Sequence, residues 1–173
     1  MEMSRNLIVS MMIVAILLVA GICGLFLLNG HSLDLTDRDV RLIVTDSMEG
    51  EVTEYDIPTI KKDSLVMVRM LGSDEMGSLK IGDVIQFVFG GKLIHHRVID
   101  NDTQSGAVLT KGDNSSSVER VDYKDIKGIV VGTSHIMGTI VKFVKEHWIF
   151  LFVLIGFFLL ATETLKWVRR DDA

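Results

Sequence analysis

The chain has 173 residues, a formal net charge of −5 at pH 7 and a sequence pI near 5.5. A nucleic-acid-binding protein usually carries a basic patch, so this acidic balance argues against nucleic acid as a partner. The chain contains one cysteine, Cys23, and a single cysteine excludes an intramolecular disulfide.

The first predicted element is an apolar segment, residues 7–28, which contains no charged side chain. About 20 apolar residues cross the hydrocarbon core of a bilayer as a helix, and this segment reaches that length. A cleavable secretory signal is the alternative, but its apolar part is typically only about 7–15 residues long and precedes a small-x-small cleavage site. No such site ends this segment. We therefore expect an uncleaved transmembrane helix over 7–28, preceded by a short N-terminus, 1–6.

The central part of the chain, 29–147, has the pattern of a mainly β domain. Its short segments rich in β-branched residues are separated by turns of glycine, aspartate or asparagine, and they cover 65–68, 84–89, 92–99, 107–110 and 128–131. Gly90-Gly91 suits a two-residue hairpin turn because both residues tolerate positive φ. The acidic stretch 49–56 has the composition of a loop insertion. We therefore predict one compact antiparallel β-barrel or sandwich over 29–147.

A second apolar run covers 148–161, a length that would equally suit a buried helix. When the run is extended to 148–168, Trp148 and Trp167 lie at its two ends, about 28 Å apart along a helix. Such a spacing suits the aromatic belts at the two interfaces of a membrane. We expect a second transmembrane helix over 148–168, followed by a short tail, 169–173.

The orientation in the membrane follows from basic residues at the outer ends of the two predicted spans, which are Arg5, Lys166, Arg169 and Arg170. The positive-inside rule then places both termini in the cytoplasm and 29–147 on the extracytoplasmic face. The pair Lys142 and Lys145, just before the second span, opposes this assignment and keeps the charge bias modest.

The predicted β domain contains residues that suit nucleophilic catalysis: a serine, Ser47, and two adjacent histidines, His95 and His96. A serine hydroxyl needs a base to remove its proton as it attacks, and histidine suits that role near neutral pH. Adjacent side chains of a strand point to opposite faces, so only one of the two histidines can face Ser47. Because they point to opposite faces, the two histidines cannot bind one metal ion together, and no other histidine or cysteine pair has the spacing of metal ligands. The sequence therefore argues against a metal site.

Four segments, taken in chain order, resemble the motifs of the type I signal peptidases. The resemblance is to the branch found in archaea, the endoplasmic reticulum and some Gram-positive bacteria. The segments are Ser47-Met48, 79–85 with its Gly82-Asp83 pair, His96-Arg97-Val98, and 109–114 with the sequence Leu-Thr-Lys-Gly-Asp-Asn. The resemblance extends over 43–133 and both apolar segments. Each motif alone is weak, whereas all four in the family's order beside predicted membrane spans form a strong signal.

The resemblance implies a role for each of four residues. Ser47 would be the nucleophile and His96 the general base, with His95 as the runner-up base. Asp113 would be the acid that orients the imidazole, although its Gly-Asp-Asn context is also a good turn. The oxyanion hole would combine the backbone N–H of Ser47 with the hydroxyl of Thr45.

Three positions depart from the family's pattern. The loop 45–50 lacks the glycine and the proline that commonly surround the nucleophile. Glu119 stands where this branch tends to carry an aspartate, so Glu119 is a second candidate acid and Asp122 an alternative to it. Asp46 places a carboxylate beside the nucleophile, which disfavours a developing oxyanion unless its side chain points away.

The function that the resemblance implies is that of a membrane-bound serine endopeptidase without a cofactor, which removes signal peptides from exported preproteins. Its partners would be signal peptides and membrane lipid. It would act on the extracytoplasmic face of an archaeal or bacterial plasma membrane, with the endoplasmic reticulum as the alternative. The alternative function is that of a catalytically silent or narrowly specialised relative, which binds exported chains or serves as a scaffold.

Overall fold

The computed structural model describes Gly21, residues 32–35 and residues 37–171. In these ranges the chain forms eight strands and one long helix. The elements are β1 (Ser32–Leu35), β2 (Arg38–Leu42), β3 (Leu65–Met70), β4 (Val84–Phe89), β5 (Lys92–Asp102), β6 (Ala107–Lys111), β7 (Val118–Asp122), β8 (Ile126–Ser134) and α1 (His135–Asp171). Two single 3-10 turns, Met76–Ser78 and Tyr123–Asp125, lie between strands.

The strands form one antiparallel sheet in the order β1-β2-β3-β8-β4-β5-β6-β7. The sheet is a half-barrel, so the prediction of a mainly β antiparallel domain is confirmed. Five predicted strands coincide with β3, β4, β5, β6 and β8, and the sequence pattern did not reveal β1, β2 or β7. The predicted hairpin joins β4 to β5, where Phe89 pairs with Lys92 and both Gly90 and Gly91 have positive φ, 57° and 74°.

Buried apolar side chains form two clusters. One comprises Met76, Leu79, Ile85, Phe87, Val98, Val108, Val121 and Ile126. The other comprises Ile43, Met48, Ile60, Val66, Val68, Val84 and Val130. Val84 and Ile85 are neighbours on β4 and belong to different clusters, because successive side chains of a strand point to opposite faces. Both faces of β4 are therefore covered, which explains why its sequence is a nearly continuous apolar run.

The chain divides into two compact units, one over 26–139 and the other including the helix from Ile140 onward. The helix α1 begins at His135, upstream of the predicted start at Trp148, and has non-helical dihedral angles at His147, φ −117° and ψ 16°. The lysines of 135–147 interrupt the apolar pattern without ending the helix, because lysine is a good helix former.

Among the described residues, no helix has the length and the apolar character needed to cross a membrane. The second predicted span, 148–168, lies within α1 and stays a prediction. The first predicted span, 7–28, and the N-terminus 1–6 lie outside the described residues, apart from Gly21.

Candidate active site

Ser47 lies in the loop that follows β2, and its neighbour Met48 fixes this loop to the core. The Met48 side chain is 1% exposed in the second apolar cluster, and its carbonyl oxygen accepts hydrogen bonds from the N–H of Ile60 at 3.0 Å and the hydroxyl of Thr59 at 3.0 Å. The N–H of Glu49 donates to the carbonyl of Asp46 at 2.9 Å, which closes a tight turn around the serine. The Ser-Met pair thus combines a partly exposed hydroxyl with a buried anchor.

His96 is buried on β5, and its ring is held from two sides. The ring packs edge-on against Phe87, with ring centroids 5.9 Å apart. On its other side, the Nδ1 atom lies 2.9 Å from Oε2 of Glu119. When Nδ1 carries the proton that this carboxylate accepts, Nε2 is left with a lone pair that can take up a proton.

Glu119 reaches His96 across an intervening strand. Glu119 on β7 pairs with Thr110 on β6, and Thr110 in turn pairs with Val98 on β5, two residues beyond His96. Thr110 and Val98 are fully buried, so this part of the sheet has a fixed surface over which the glutamate side chain extends. Its side chain is 17% exposed, and the low dielectric around it strengthens its interaction with the imidazole.

Gly112 brings the serine loop and the histidine together. A Cβ atom at this position would lie 2.6 Å from the carbonyl oxygen of Ser47 and 3.0 Å from Nε2 of His96. The next residues tie down the same loop, because the N–H of Asn114 donates to the Ser47 carbonyl at 2.9 Å. The structure therefore places the Ser47 carbonyl and the Nε2 atom of His96 around the same small space, which the missing side chain of Gly112 leaves open.

Asp113 pairs with Arg97, whereas the imidazole of His96 contacts Glu119. Its carboxylate forms a paired contact with Arg97, whose Nε and NH2 donate to Oδ1 at 2.9 Å and to Oδ2 at 2.7 Å. Both side chains are nearly fully buried, 4% and 5% exposed. Arg97 also donates to the carbonyls of Ile57 and Gly82, so its guanidinium forms four hydrogen bonds. The contact that the sequence assigned to Asp113 as an orienting acid is made by Glu119.

The acidic stretch 49–56 packs beside this ion pair. The ring of Tyr55 lies under the guanidinium of Arg97, with 5.0 Å from its carbon to the ring centroid. A Cβ atom at Gly50 would lie 2.8 Å from the Cβ of Asp113 and 2.9 Å from its carbonyl oxygen, so the stretch packs closely against Asp113. The apparent insertion therefore shields the Arg97–Asp113 pair from water.

Three further polar residues that the sequence drew attention to, Thr45, Asp122 and Asp46, have different surroundings. Thr45 has its hydroxyl oxygen 3.3 Å from Oγ of Ser47, which is consistent with a place beside the reacting atom. Asp122 contacts the ammonium group of Lys124 at 3.5 Å, and both side chains are largely exposed. Asp46 is exposed, so its carboxylate does not lie in a buried site with the serine.

A groove of about 520 Å³ connects Ser47 with His96. One wall of the groove is the end of β2 with the loop after it, and the other wall is the start of β5. The residues that line the groove are Arg41, Leu42, Ile43, Val44, Thr45, Ser47, Met48, Lys92, Leu93, Ile94, His95 and His96. Four antiparallel steps separate β2 from β5 in the sheet order, so the two strands run in the same direction. Ser47 and His96 therefore lie at one end of the groove, and Arg41 and Lys92 at the other.

The β5 wall of the groove is a free strand edge. β5 pairs with β4 along its first six residues, and its pairing with β6 begins only at Arg97. Over 92–96, no strand among the described residues pairs with the second edge of β5. Unpaired backbone groups on such an edge can bind an extended peptide as an added strand.

His95 points to the opposite face of β5 from His96, as the alternation of a strand predicts. Its Nε2 atom is 3.2 Å from the side-chain nitrogen of Gln86. Burial, and then the positive charges of Arg41 and of a protonated His96, lower the pKa of His95 to about 4. His95 is thus engaged with a neighbouring strand, whereas Nε2 of His96 lies beside Gly112 and the serine loop.

The sequence did not reveal the buried polar side chains on β2 and β4. Asp39 is 4% exposed and Gln86 is 1% exposed. The signal that could have identified Gln86 was present, since it is the one polar residue in the apolar strand Val-Ile-Gln-Phe-Val-Phe. Asp39 gave no such signal, because its strand reads Arg-Asp-Val-Arg-Leu and has the composition of an exposed loop.

Within the part of the chain that the structure describes, no group of three or more histidine, cysteine or acidic residues could hold a metal ion. No model of a known protein family matches the chain, and no curated protein matches it either. The resemblance to signal peptidases therefore rests on the four sequence motifs alone.

Proposed function

We propose that the protein is a serine endopeptidase that removes signal peptides from exported preproteins, with Ser47 as the nucleophile and His96 as the general base. The observation that carries the proposal is the end of the groove where both residues lie, with Nδ1 of His96 held by Glu119 at 2.9 Å. A serine, a histidine and a carboxylate are the groups that together can activate a hydroxyl for attack on a carbonyl.

In the proposed reaction, the scissile peptide lies extended along the free edge of β5, so that its backbone adds one strand to the sheet. His96 Nε2 removes the proton from Ser47 Oγ as the oxygen forms a bond to the scissile carbonyl carbon. The same proton then passes to the leaving amine when the C–N bond breaks, and water releases the acyl group from Ser47 in a second step. General-base assistance of this kind typically contributes about 10²–10⁴-fold in rate.

The groove chemistry suits an apolar, extended substrate. Five of the residues that line it have aliphatic side chains, namely Leu42, Ile43, Val44, Leu93 and Ile94, and none of the described residues that line it is acidic. A signal peptide presents small uncharged residues in front of its cleavage site, and such residues fit shallow apolar subsites. In this proposal the apolar segment 7–28 anchors the chain, and 29–147 acts on the extracytoplasmic face.

The test is processing of a membrane-inserted preprotein by the purified, detergent-solubilised full-length chain. We expect cleavage after a small residue, and we expect Ser47→Ala and His96→Ala each to abolish it. Ser73→Ala, at an exposed serine, is the matched control and should cleave like the unmodified chain. Cleavage that persists in Ser47→Ala, or absence of cleavage across several preproteins, would overturn the proposal.

A second candidate function is preprotein binding without hydrolysis, and one observation favours it. The hydroxyl of Ser47 has its hydrogen-bond contact with Thr45, at 3.3 Å, and not with His96 among the described residues. Catalytic hydrogen bonds often tighten only when substrate is bound, so this geometry is compatible with both functions. Preprotein binding with equal affinity by the unmodified chain and Ser47→Ala, without any product, would identify the binding protein.

A further inference from the structure

Three side chains from three strands form a hydrogen-bonded bridge, which we term the Asp39–Gln86–His95 bridge. The side-chain nitrogen of Gln86 on β4 lies 3.3 Å from Oδ2 of Asp39 on β2 and 3.2 Å from Nε2 of His95 on β5. A side-chain amide carries two N–H groups, so Gln86 can donate to both partners at once. The bridge therefore joins the two strands that form the walls of the groove.

The bridge spans the concave face of the half-barrel. β3 and β8 lie between β2 and β4 in the sheet, so in a flat sheet the two strands would be about 14 Å apart. A hydrogen bond between Asp39 and Gln86 is out of reach at that separation. The sheet must therefore curve until side chains from its two sides meet, and the bridge forms where they meet.

Two of the three side chains of the bridge, those of Asp39 and Gln86, are buried, and the carboxylate of Asp39 forms an ion pair with Arg41 through one of its oxygens. Asp39 is 4% exposed, and its Oδ2 atom also accepts a hydrogen bond from Nε of Arg41. Burying a carboxylate costs free energy unless it is paired and hydrogen-bonded, and a buried polar network often serves to fix one specific arrangement. At Gln86 an apolar residue would match the rest of β4, so the polar side chain there calls for a role beyond core packing.

Two members of the bridge, Asp39 and His95, lie on the strands β2 and β5, which precede or carry the proposed catalytic residues. Ser47 lies five residues after Leu42, which is the last residue of β2 that pairs with β3. His96 directly follows His95 on β5. We propose that the Asp39–Gln86–His95 bridge is a positioning element, which fixes the separation of β2 and β5 and thereby the approach of Ser47 to His96. The catalytic part of this inference rests on the proposed function, whereas the structural part does not.

The structural part is tested by measuring the width of the groove. Spin labels at Val44→Cys and Lys92→Cys, both exposed on opposite walls, report the separation in a Cys23→Ala background of the full-length chain. We expect a narrow distance distribution that broadens or shifts in Gln86→Leu, because leucine has a similar volume and no hydrogen-bonding group. The control is Gln104→Leu at an exposed turn, which should leave the distribution unchanged. An unchanged distribution in Gln86→Leu would overturn the inference.

The catalytic part is tested by kinetics per active site, titrated with a fluorophosphonate that reacts with the serine. A displacement of about 1 Å can cost on the order of 10²-fold in rate, so we expect kcat of Gln86→Leu to fall by roughly 10–10²-fold with a smaller change in KM. His95→Leu should have a similar effect, and the double variant should be no slower than either single variant, because both changes break one unit. If Gln86→Leu fails to fold, His95→Leu, which keeps the contact between Asp39 and Gln86, carries both measurements.

The outcomes separate the inference from the proposed function. A loss of thermal stability with an unchanged kcat would show that the bridge is merely structural and would overturn the positioning role. Additive losses in the double variant would also overturn it. If the unmodified chain cleaves no preprotein, the proposed function fails, and the spin-label distances still decide whether the bridge sets the groove width.

Discussion

The Oε2 atom of Glu119 lies 2.9 Å from Nδ1 of His96, although β6 separates the strands that carry the two residues. This contact gives the imidazole one defined orientation, in which Nε2 lies beside Gly112 and the serine loop. It also places a negative charge where it stabilises the protonated ring that forms when Ser47 loses its proton. Two consequences can be measured. One is the effect of Glu119 on kcat, and the other is which of Glu119 and Asp113 acts as the orienting acid.

Glu119→Gln should lower kcat for preprotein cleavage by about 10²-fold or more. The amide has no charge to stabilise the imidazolium, and in one of its two orientations it donates to Nδ1 and enforces the wrong tautomer. Steady-state kinetics of the purified variant provides the measurement, and Glu54→Gln, the same change at an exposed glutamate, is the control. A kcat equal to that of the unmodified chain would remove Glu119 from the mechanism.

Asp113→Asn should act on stability instead of on the chemical step. It leaves the guanidinium of Arg97 buried without its charge partner, and breaking a buried ion pair in this way typically costs about 3–5 kcal/mol. Urea unfolding measures this loss. The control is Asp122→Asn in the exposed pair with Lys124, where we expect a change below about 1 kcal/mol. An Asp113→Asn variant of normal stability with a severe loss of kcat would instead return the role of orienting acid to Asp113.

The features of the site that could be predicted from the sequence are those that depend only on residues close together in the chain. The opposite directions of His95 and His96 follow from strand alternation, and the hairpin at Gly90-Gly91 follows from backbone preferences. The choice between Asp113 and Glu119 could not be predicted, because it depends on how β5, β6 and β7 pair. A shift of one residue in the pairing of β7 would turn the Glu119 side chain to the other face of the sheet.

The Asp39–Gln86–His95 bridge could not be predicted either, for a related reason. Its members are far apart in the chain and meet only because the sheet curves, and no local pattern encodes that curvature. Asp39 in particular lies in a strand with two arginines, so composition alone indicates an exposed position. Buried charges of this kind depend on partners that only the tertiary fold supplies.

Gly112→Ala should strongly reduce activity, because the added methyl group would lie 2.6 Å from the Ser47 carbonyl oxygen and 3.0 Å from His96 Nε2. Both neighbours are fixed, one by the hydrogen bond from Asn114 and the other by Glu119, so the serine loop and the imidazole must move apart. A displacement of about 1 Å can cost on the order of 10²-fold in kcat.

The matched control for this change is Gly132→Ala on β8, where an added Cβ would have no neighbour within 4 Å. We expect this variant to keep the kcat and the thermal stability of the unmodified chain. Preprotein cleavage and thermal unfolding of both variants provide the comparison. If Gly112→Ala keeps full activity, Ser47 and His96 do not meet across this glycine during the reaction.

His95 should make the folded state less stable in mild acid. Its pKa is lowered to about 4 in the fold, first by burial and then by the charges of Arg41 and His96, whereas an unfolded chain has its histidine pKa near 6.5. Between these two values the unfolded chain binds the extra proton, so the free energy of unfolding falls as the pH is lowered from about 6.5 to about 4. Below that range both states are protonated and the loss is complete.

The loss attributable to His95 should be on the order of 2 kcal/mol, after allowance for the partial exposure of its ring. A proton on Nε2 of His95 would also displace the N–H that Gln86 donates to this atom. Protonation of His95 should therefore break this hydrogen bond of the bridge as well. Urea unfolding of the full-length chain at pH 7, 5 and 4 measures the loss, and the same series on His95→Gln isolates it, because glutamine keeps a hydrogen-bond acceptor and does not titrate. The difference between the two series therefore reports on His95. Parallel series would show that the ring of His95 remains accessible to water and to protons, and that Gln86 does not hold it in its neutral form.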